Sequence, residues 1–193
     1  MYNHIEDKMM EHGKKYPKFN EQKATEAASL LLSWHGGKMS RVKILKLLYL
    51  ADRKALENWE RPITFDTYYS MKEGQVLSGV LDLINDKKNN SLWREHIEQA
   101  DDISIRLHDD PVELKKLSRA EEKLLKAIYD EYGQMNRFDL GAITKQFPEY
   151  KPTSSRKKTH IEEVLTYIYG EEEAKRIRDR LEEQAYLEIA IGE

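Results

Sequence analysis

The chain has 193 residues, enough for one ordinary domain and short for two. Charged residues make up 35% against 39% hydrophobic, which fits one helical core beneath heavily charged faces and excludes wholesale disorder. A net charge of −3 leaves no global positive excess to draw the protein onto nucleic acid or an anionic membrane, and with no cysteine there are no disulfides or thiolate metal sites.

Residues 1–19 form a polar lead ending in Tyr16-Pro17-Lys18-Phe19, read as a loosely docked arm. It lacks the apolar stretch of a signal peptide, and no apolar run is long enough to span a bilayer, so the cytoplasm is the expected location. Asn20 is a good N-cap for a helix through Ala24, Ala27, Ala28, Leu31 and Leu32, which Gly36-Gly37 ends. Ser40 can cap the next helix, whose stretch Val42–Ala51 is apolar on most sides, the mark of a central helix. Lys46, within that stretch, is expected to keep its ammonium in water. The helix must stop before Pro62. A Thr- and Tyr-rich connection, Ile63 to Met71, leads to Gly74, which opens a shorter helix with Val76, Leu77, Val80, Leu81, Leu83 and Ile84 inward. Asn85 to Ser91 is a polar turn region.

From Trp93 to His108 the period changes. Ile97, Ile103, Ile105 and Leu107 alternate about Asp101-Asp102, which predicts a small hairpin. Ser118-Arg119-Ala120-Glu121 spells a capping box for a helix through Leu124, Leu125, Ile128 and Tyr132, stopping at Gly133. Another helix runs from about Asn136 to Phe147. Lys151 to Lys158 reads as a basic loop, and Thr159-His160-Ile161-Glu162 as a second capping box. The helix it starts breaks at Gly170 and resumes through Ala174, Ile177, Leu181 and Leu187. The fold class is mainly α: a compact multi-helix domain with a small β-hairpin.

Several segments, in order, resemble the Panacea domain, the family that includes SocA-like antitoxins of bacterial and phage toxin–antitoxin loci. Lys46-Leu47-Leu48-Tyr49-Leu50-Ala51 matches the family's core-helix stretch, and Arg61-Pro62-Ile63 its Arg-Pro-Leu-like step. The run Tyr68 to Val76 sits where the family has aromatic-x-Tyr-Gly-Pro-Val. Leu117 to Glu121 and Leu140 to Lys145 match its Leu-Ser-x-x-Glu and Leu-x-x-x-Thr-His segments. Gln75 stands for the family's Pro and Lys145 for its His, which suggests a divergent branch. The resemblance covers roughly 20–150, with 1–19 as an arm and 151–193 as a basic loop and C-terminal helices packed on the same domain. It implies a binding protein and not an enzyme: an antitoxin for a cognate protein toxin. Some relatives hand the toxin to a protease, and homo-oligomers are a further option.

Tyr68, Tyr69, Met71, Lys72, Gln75 and Trp93 are the candidate partner-binding residues. Tyr and Trp bring large contact area at little rotamer cost, Met71 packs adaptably, and Lys72 and Gln75 supply polar specificity. Filling the core is an equal alternative for the aromatics, and Gly74 is more readily a steric hinge than an anion-meeting corner. The basic Lys151–Lys158 loop is the next choice. Two rival functions remain. Glu122 to Phe147 has the outline of a helix-turn-helix, so an autorepressor binding its own DNA is the alternative, although Asp139 and few base-reading side chains weigh against it. An uncharacterised hydrolase is the third, with Ser40-Arg41-Val42-Lys43 a weak Ser-x-x-Lys spelling better explained by Ser40 as a cap. None of the six histidines falls in a His-x-x-x-His or Glu-x-x-His pattern, and no phosphate loop is spelled, so no metal or cofactor is expected.

Overall fold

The computed structural model describes residues 16–85, 91–108 and 112–191. The chain order begins with α1 (Glu21–Trp34), β1 (Lys38–Ser40) and α2 (Arg41–Trp59), followed by β2 (Tyr68–Met71), β3 (Gly74–Leu77) and α3 (Ser78–Ile84). Next come α4 (Leu92–His96), β4 (Ile97–Gln99), β5 (Ser104–Leu107), α5 (Arg119–Tyr132) and α6 (Arg137–Thr144). Last are β6 (Arg156–Thr159), α7 (Ile161–Tyr169) and α8 (Glu171–Ile191). The fold is mainly α with a minor β component, as expected, but the β part is larger than one hairpin. Two three-stranded antiparallel sheets form, ordered β1-β5-β4 and β3-β2-β6.

α2 is the centre. Ile44, Leu47, Leu48, Leu50 and Leu56 are all buried, each stabilising the fold by about 1.5–3 kcal/mol on area grounds. α1, α5, α6 and strands from both sheets pack around it. It ends at Glu60, held in the left-handed region at φ 62°, just ahead of Pro62. Ser40 occupies its N-cap position but makes no capping bond, and its hydroxyl is buried without a partner. The cap at Asn20 forms as read, its side chain accepting from the Lys23 N–H at 2.9 Å.

The hairpin of the second half is present as β4–β5, and its Ile97 and Ile105 are buried while Ile103 lies 55% exposed at the turn. Its third strand, β1, comes from the short Lys38–Ser40 link. Gly74, by contrast, opens a strand and not a helix. Met71 pairs with Gly74 across a two-residue turn, and the helix starts four residues later at Ser78. A short apolar run such as 76–84 cannot be split by periodicity alone, and Asp66 decides where the split falls. Its carboxylate accepts the N–H groups of Gly79 at 2.7 Å and Val80 at 2.9 Å, capping α3 from the preceding loop.

Buried carboxylates hold the other loops too. Asp52 accepts from the N–H groups of Ile63 and Thr64, both at 3.0 Å, and Glu26 accepts from those of Lys115, Lys116 and Leu117. Glu121 closes the capping box with Ser118 and also binds Lys23 and Arg61. Burial works against its charge, yet those donors hold its carboxyl at about 2. The second capping box is shifted by one: His160 is the N-cap, Glu163 accepts its N–H at 3.3 Å, and Thr159 is buried in β6. The expected basic loop is therefore partly strand.

Residues 1–15 of the expected arm and most of the Asn85–Ser91 turn lie outside the described residues. The arm's end is packed down at Tyr16, Pro17 and Phe19, with Lys18 exposed. Pro17 is buried, Tyr16 donates to Glu162 at 2.9 Å, and the Phe19 ring lies so near Gly79 that a Cβ there would meet it at 2.8 Å. Tyr169, closing α7, donates to the carbonyls of Leu56 and Glu57 and ties the C-terminal helices to the end of α2. α8 lays Ala174, Ile177, Leu181 and Ala185 inward at helical spacing. No helix among the described residues is long and apolar enough to cross a membrane.

Candidate partner-binding face

The segment proposed from sequence as an exposed connection is strand β2 and its turn. Strand alternation sends successive side chains to opposite sides, so the six candidates part company. Tyr68 is buried, as are Gln75 and Trp93, each at most 2% exposed, and surface display is corrected for these three. Tyr69 and Met71, on the other side, are half-buried, and Lys72 at the turn is exposed.

The buried three have internal work. Tyr68 packs edge-to-face on Tyr49 with ring centroids 5.6 Å apart. Trp93 sits in α4, which packs on α1, and is among the largest fully buried side chains. Gln75, the family's Pro position, donates through Nε2 to the Glu149 carbonyl and to Thr159 Oγ1, both at 3.2 Å, linking β3 to the loop after α6 and to β6. Its own carbonyl accepts from Lys46 Nζ at 2.7 Å. Lys46 is thus buried, contrary to expectation, and burial pulls its ammonium down to about 7. Close packing at this corner explains Gly74: at φ 98°, a Cβ would stand 2.2 Å from Thr144 Oγ1 and 3.2 Å from Lys46 Nζ.

These bonds fix the inner side of the β3-β2-β6 sheet to α2. Ser70 contacts Thr159 at 3.2 Å and accepts the Lys151 N–H at 2.9 Å. Tyr49 and Arg53, both on α2, donate to Glu149 at 2.6 and 2.7 Å, and Arg53 also stacks 3.9 Å from the Phe147 ring centroid. A sheet held in this way is a rigid platform for whatever its outer side carries.

That outer side joins two stretches far apart in sequence. β6 pairs with β2 in the register Tyr69↔Lys158, Ser70↔Lys157 and Met71↔Arg156. The first-choice segment and the next-choice basic stretch are therefore one surface. Directly opposed residues share a side, so Tyr69 and Met71 lie beside Arg156 and Lys158. The Arg156 guanidinium stacks 3.8 Å from the Tyr69 ring centroid, and its Nη2 also donates to Ser78. Lys157 and Lys158 are exposed, and among the described residues neither they nor Lys72 make an ion pair. The strand character of Arg156–Thr159 was hard to see because three of its four residues are charged. Thr159 followed by a helix cap was the available sign.

The other candidates separate as well. α6 turns Leu140, Gly141 and Thr144 inward and leaves Phe138 64% exposed beside Asp139. A groove of about 510 Å³ between α2 and α5, with Leu50, Leu124 and Ile128 in its floor, lies away from the sheet face and has a rim of mixed sign. Among the described residues no three His, Asp or Glu side chains gather as a metal ion would need.

The family model described as antitoxin SocA-like, Panacea domain, matches residues 44–151, more than half the chain. The chain belongs to the SocA-like antitoxin, Panacea-domain family. No curated protein and no solved structure gives a significant match. The matched Panacea span begins in the first turn of α2 and takes in Lys46, β2, β3, α5 and α6, the segments on which the sequence resemblance rests. β6, α7 and α8 lie beyond it. The Panacea domain thus contributes Tyr69, Met71 and Lys72 to the outer face, and the following segment contributes Arg156 and Lys158, while Lys157, opposite the buried Ser70, projects from the other side of the edge strand.

Proposed function

We propose that this protein neutralises a cognate protein toxin by direct binding, and that the toxin meets the outer face of the β3-β2-β6 sheet. The single observation that carries the placement is the pair of cations, Lys72 and Lys158, that have no ion-pair partner among the described residues and stand with Arg156 beside the half-buried Tyr69 and Met71 on a rigid sheet. Interfaces draw their affinity from such aromatic and Arg anchors, and their orientation and on-rate from charge. Family membership supports the antitoxin role itself.

Co-expression tests the reading. The neighbouring reading frame, expressed alone, is expected to arrest growth, and the two together to restore it. Tyr69→Ala or Lys72→Glu is expected to abolish rescue with little change in melting temperature. Loss of an anchor worth about 2 kcal/mol weakens binding by more than tenfold. A harmless neighbour, or toxicity that persists beside a well-expressed partner, removes the antitoxin reading. Normal rescue by both variants removes the face.

A further inference from the structure

The β3-β2-β6 sheet has two edges treated in opposite ways. In an antiparallel ladder, residues alternate between turning their N–H and C=O toward one neighbour and toward the other. Ser78 N donates to Thr67 O at 2.9 Å, which sets the phase: Thr67, Tyr69 and Met71 bond toward β3, and Tyr68 and Ser70 toward β6. By the same alternation Gln75 turns its carbonyl outward on β3, and that edge is covered, since Lys46 from α2 reaches the carbonyl. On β6, Lys157 and Thr159 bond inward to β2, which leaves the N–H and C=O of Arg156 and Lys158 aimed outward from the last strand of the sheet. Among the described residues only a long contact, 3.4 Å from Lys151 Nζ to the Lys158 carbonyl, touches this edge, and that Lys is already paired with Glu163.

Open strand edges invite any extended chain, and lysines on them discourage apolar ones. A run of Arg156, Lys157 and Lys158 does more than discourage: each cation raises the cost of a neutral or basic strand and lowers that of an acidic one. We infer that the free edge of β6 takes an acidic extended segment of a protein partner as a fourth strand, its backbone bonding to Arg156 and Lys158 and its carboxylates meeting Lys158 and Lys72 on the outer side. This rests on the antitoxin reading only for who the partner is. The edge lies beyond the span shared with the family, so it is a place where this chain can carry its own choice of partner.

The test uses the full chain and a synthetic acetylated peptide of about ten residues alternating Glu and Val, against its Lys–Val counterpart. The Glu peptide is expected to bind, the Lys peptide not, with slowed amide exchange at Arg156 and Lys158. Lys158→Pro removes the outward N–H without touching the bonds to β2, and is expected to weaken binding about tenfold. Lys158→Gln, which removes the same charge, should weaken it only about threefold. Alternate N-methylation of the peptide backbone repeats the block from the other side, so that misfolding of the Pro variant cannot decide the matter. Equal loss in the Pro and Gln variants with undiminished binding of the methylated peptide, equal binding of the two peptides, or no binding at about millimolar peptide would each overturn the inference. Growth rescue is scored separately: peptide pairing without rescue leaves the edge standing and removes the antitoxin role, and rescue without pairing does the reverse.

Discussion

The two sheets of the described residues are both three-stranded and antiparallel, yet they treat charge oppositely. On β1-β5-β4, surface cations meet carboxylates: Lys38 pairs with Asp101 at 2.8 Å, and Arg106 with Glu98 at 2.6 Å, with His108 3.5 Å from the same Glu98. The bond from Lys38 holds Asp101 at about 2, and that from Arg106 lowers Glu98. On β3-β2-β6, Lys72, Lys157 and Lys158 stand without such partners among the described residues. A surface whose charges are matched within the chain has little left to offer another molecule. One with unmatched cations over a fixed backbone keeps that capacity.

The largest expected effect breaks both sheets at once, since both lean on α2. Leu48→Asp places a carboxylate at a 1% exposed position and should cost about 4 kcal/mol or more, abolishing the cooperative thermal transition. A transition matching the parent would refute the central role of α2. Gly74→Ala should damage only the β3-β2-β6 sheet. The positive φ and the collision with Thr144 together are worth about 2–3 kcal/mol, readable in denaturant, and adding Thr144→Ala should recover the steric share alone.

Lys46→Met examines the covered edge by its pH dependence. Burial lowers Lys46 from its ordinary 10.5 to about 7, so between these values the unfolded chain holds the extra proton. Stability should rise with pH from about 7 towards 10 in the parent, and the Met variant should show a shallower slope, the remainder coming from Lys43, which burial also lowers. An unchanged slope would mean that the ammonium is not held as described. The raised phenols of Tyr49 and Tyr68 act in the opposite direction above 10, which sets the upper limit of the window.

Smaller still in stability, Lys157→Glu with Lys158→Glu should leave the melting midpoint almost unmoved while neutralisation is lost and its salt dependence disappears. Glu98→Gln on the other sheet serves as the matched control, with both midpoint and neutralisation unchanged. If the control lost neutralisation and the double variant did not, the contrast between the sheets would be reversed.

Much of the fold was legible along the chain. Asn20, the Ser118–Glu121 box, Gly133 and Gly170 mark helix ends by chemistry that acts within four residues, and the apolar run of α2 announces a central helix wherever it is placed. The Lys-Leu-Leu-Tyr-Leu-Ala stretch likewise carries family membership in local order and spacing. The candidate face was legible only in halves. Tyr69 and Lys72 were in view, and so was the basic stretch after Lys151, but nothing local says that the two are neighbours.

Strand pairing decides that, and strand pairing is a relation between residues almost ninety positions apart. The same relation sends Tyr68 and Gln75 inward and turns Gln75 from a sign of partner choice into a structural tie. It also draws Lys46 into the interior, where one backbone carbonyl replaces the water its charge would otherwise have. The sequence by itself determined most helix ends, the core helix and the family, because these depend on contacts within a turn or two; the start of α3, capped by Asp66 from the preceding loop, it did not. Which side chains face outward, and which sheet edge stays open, only the tertiary structure decided, because burial and hydrogen-bond direction are set by what lies across the sheet.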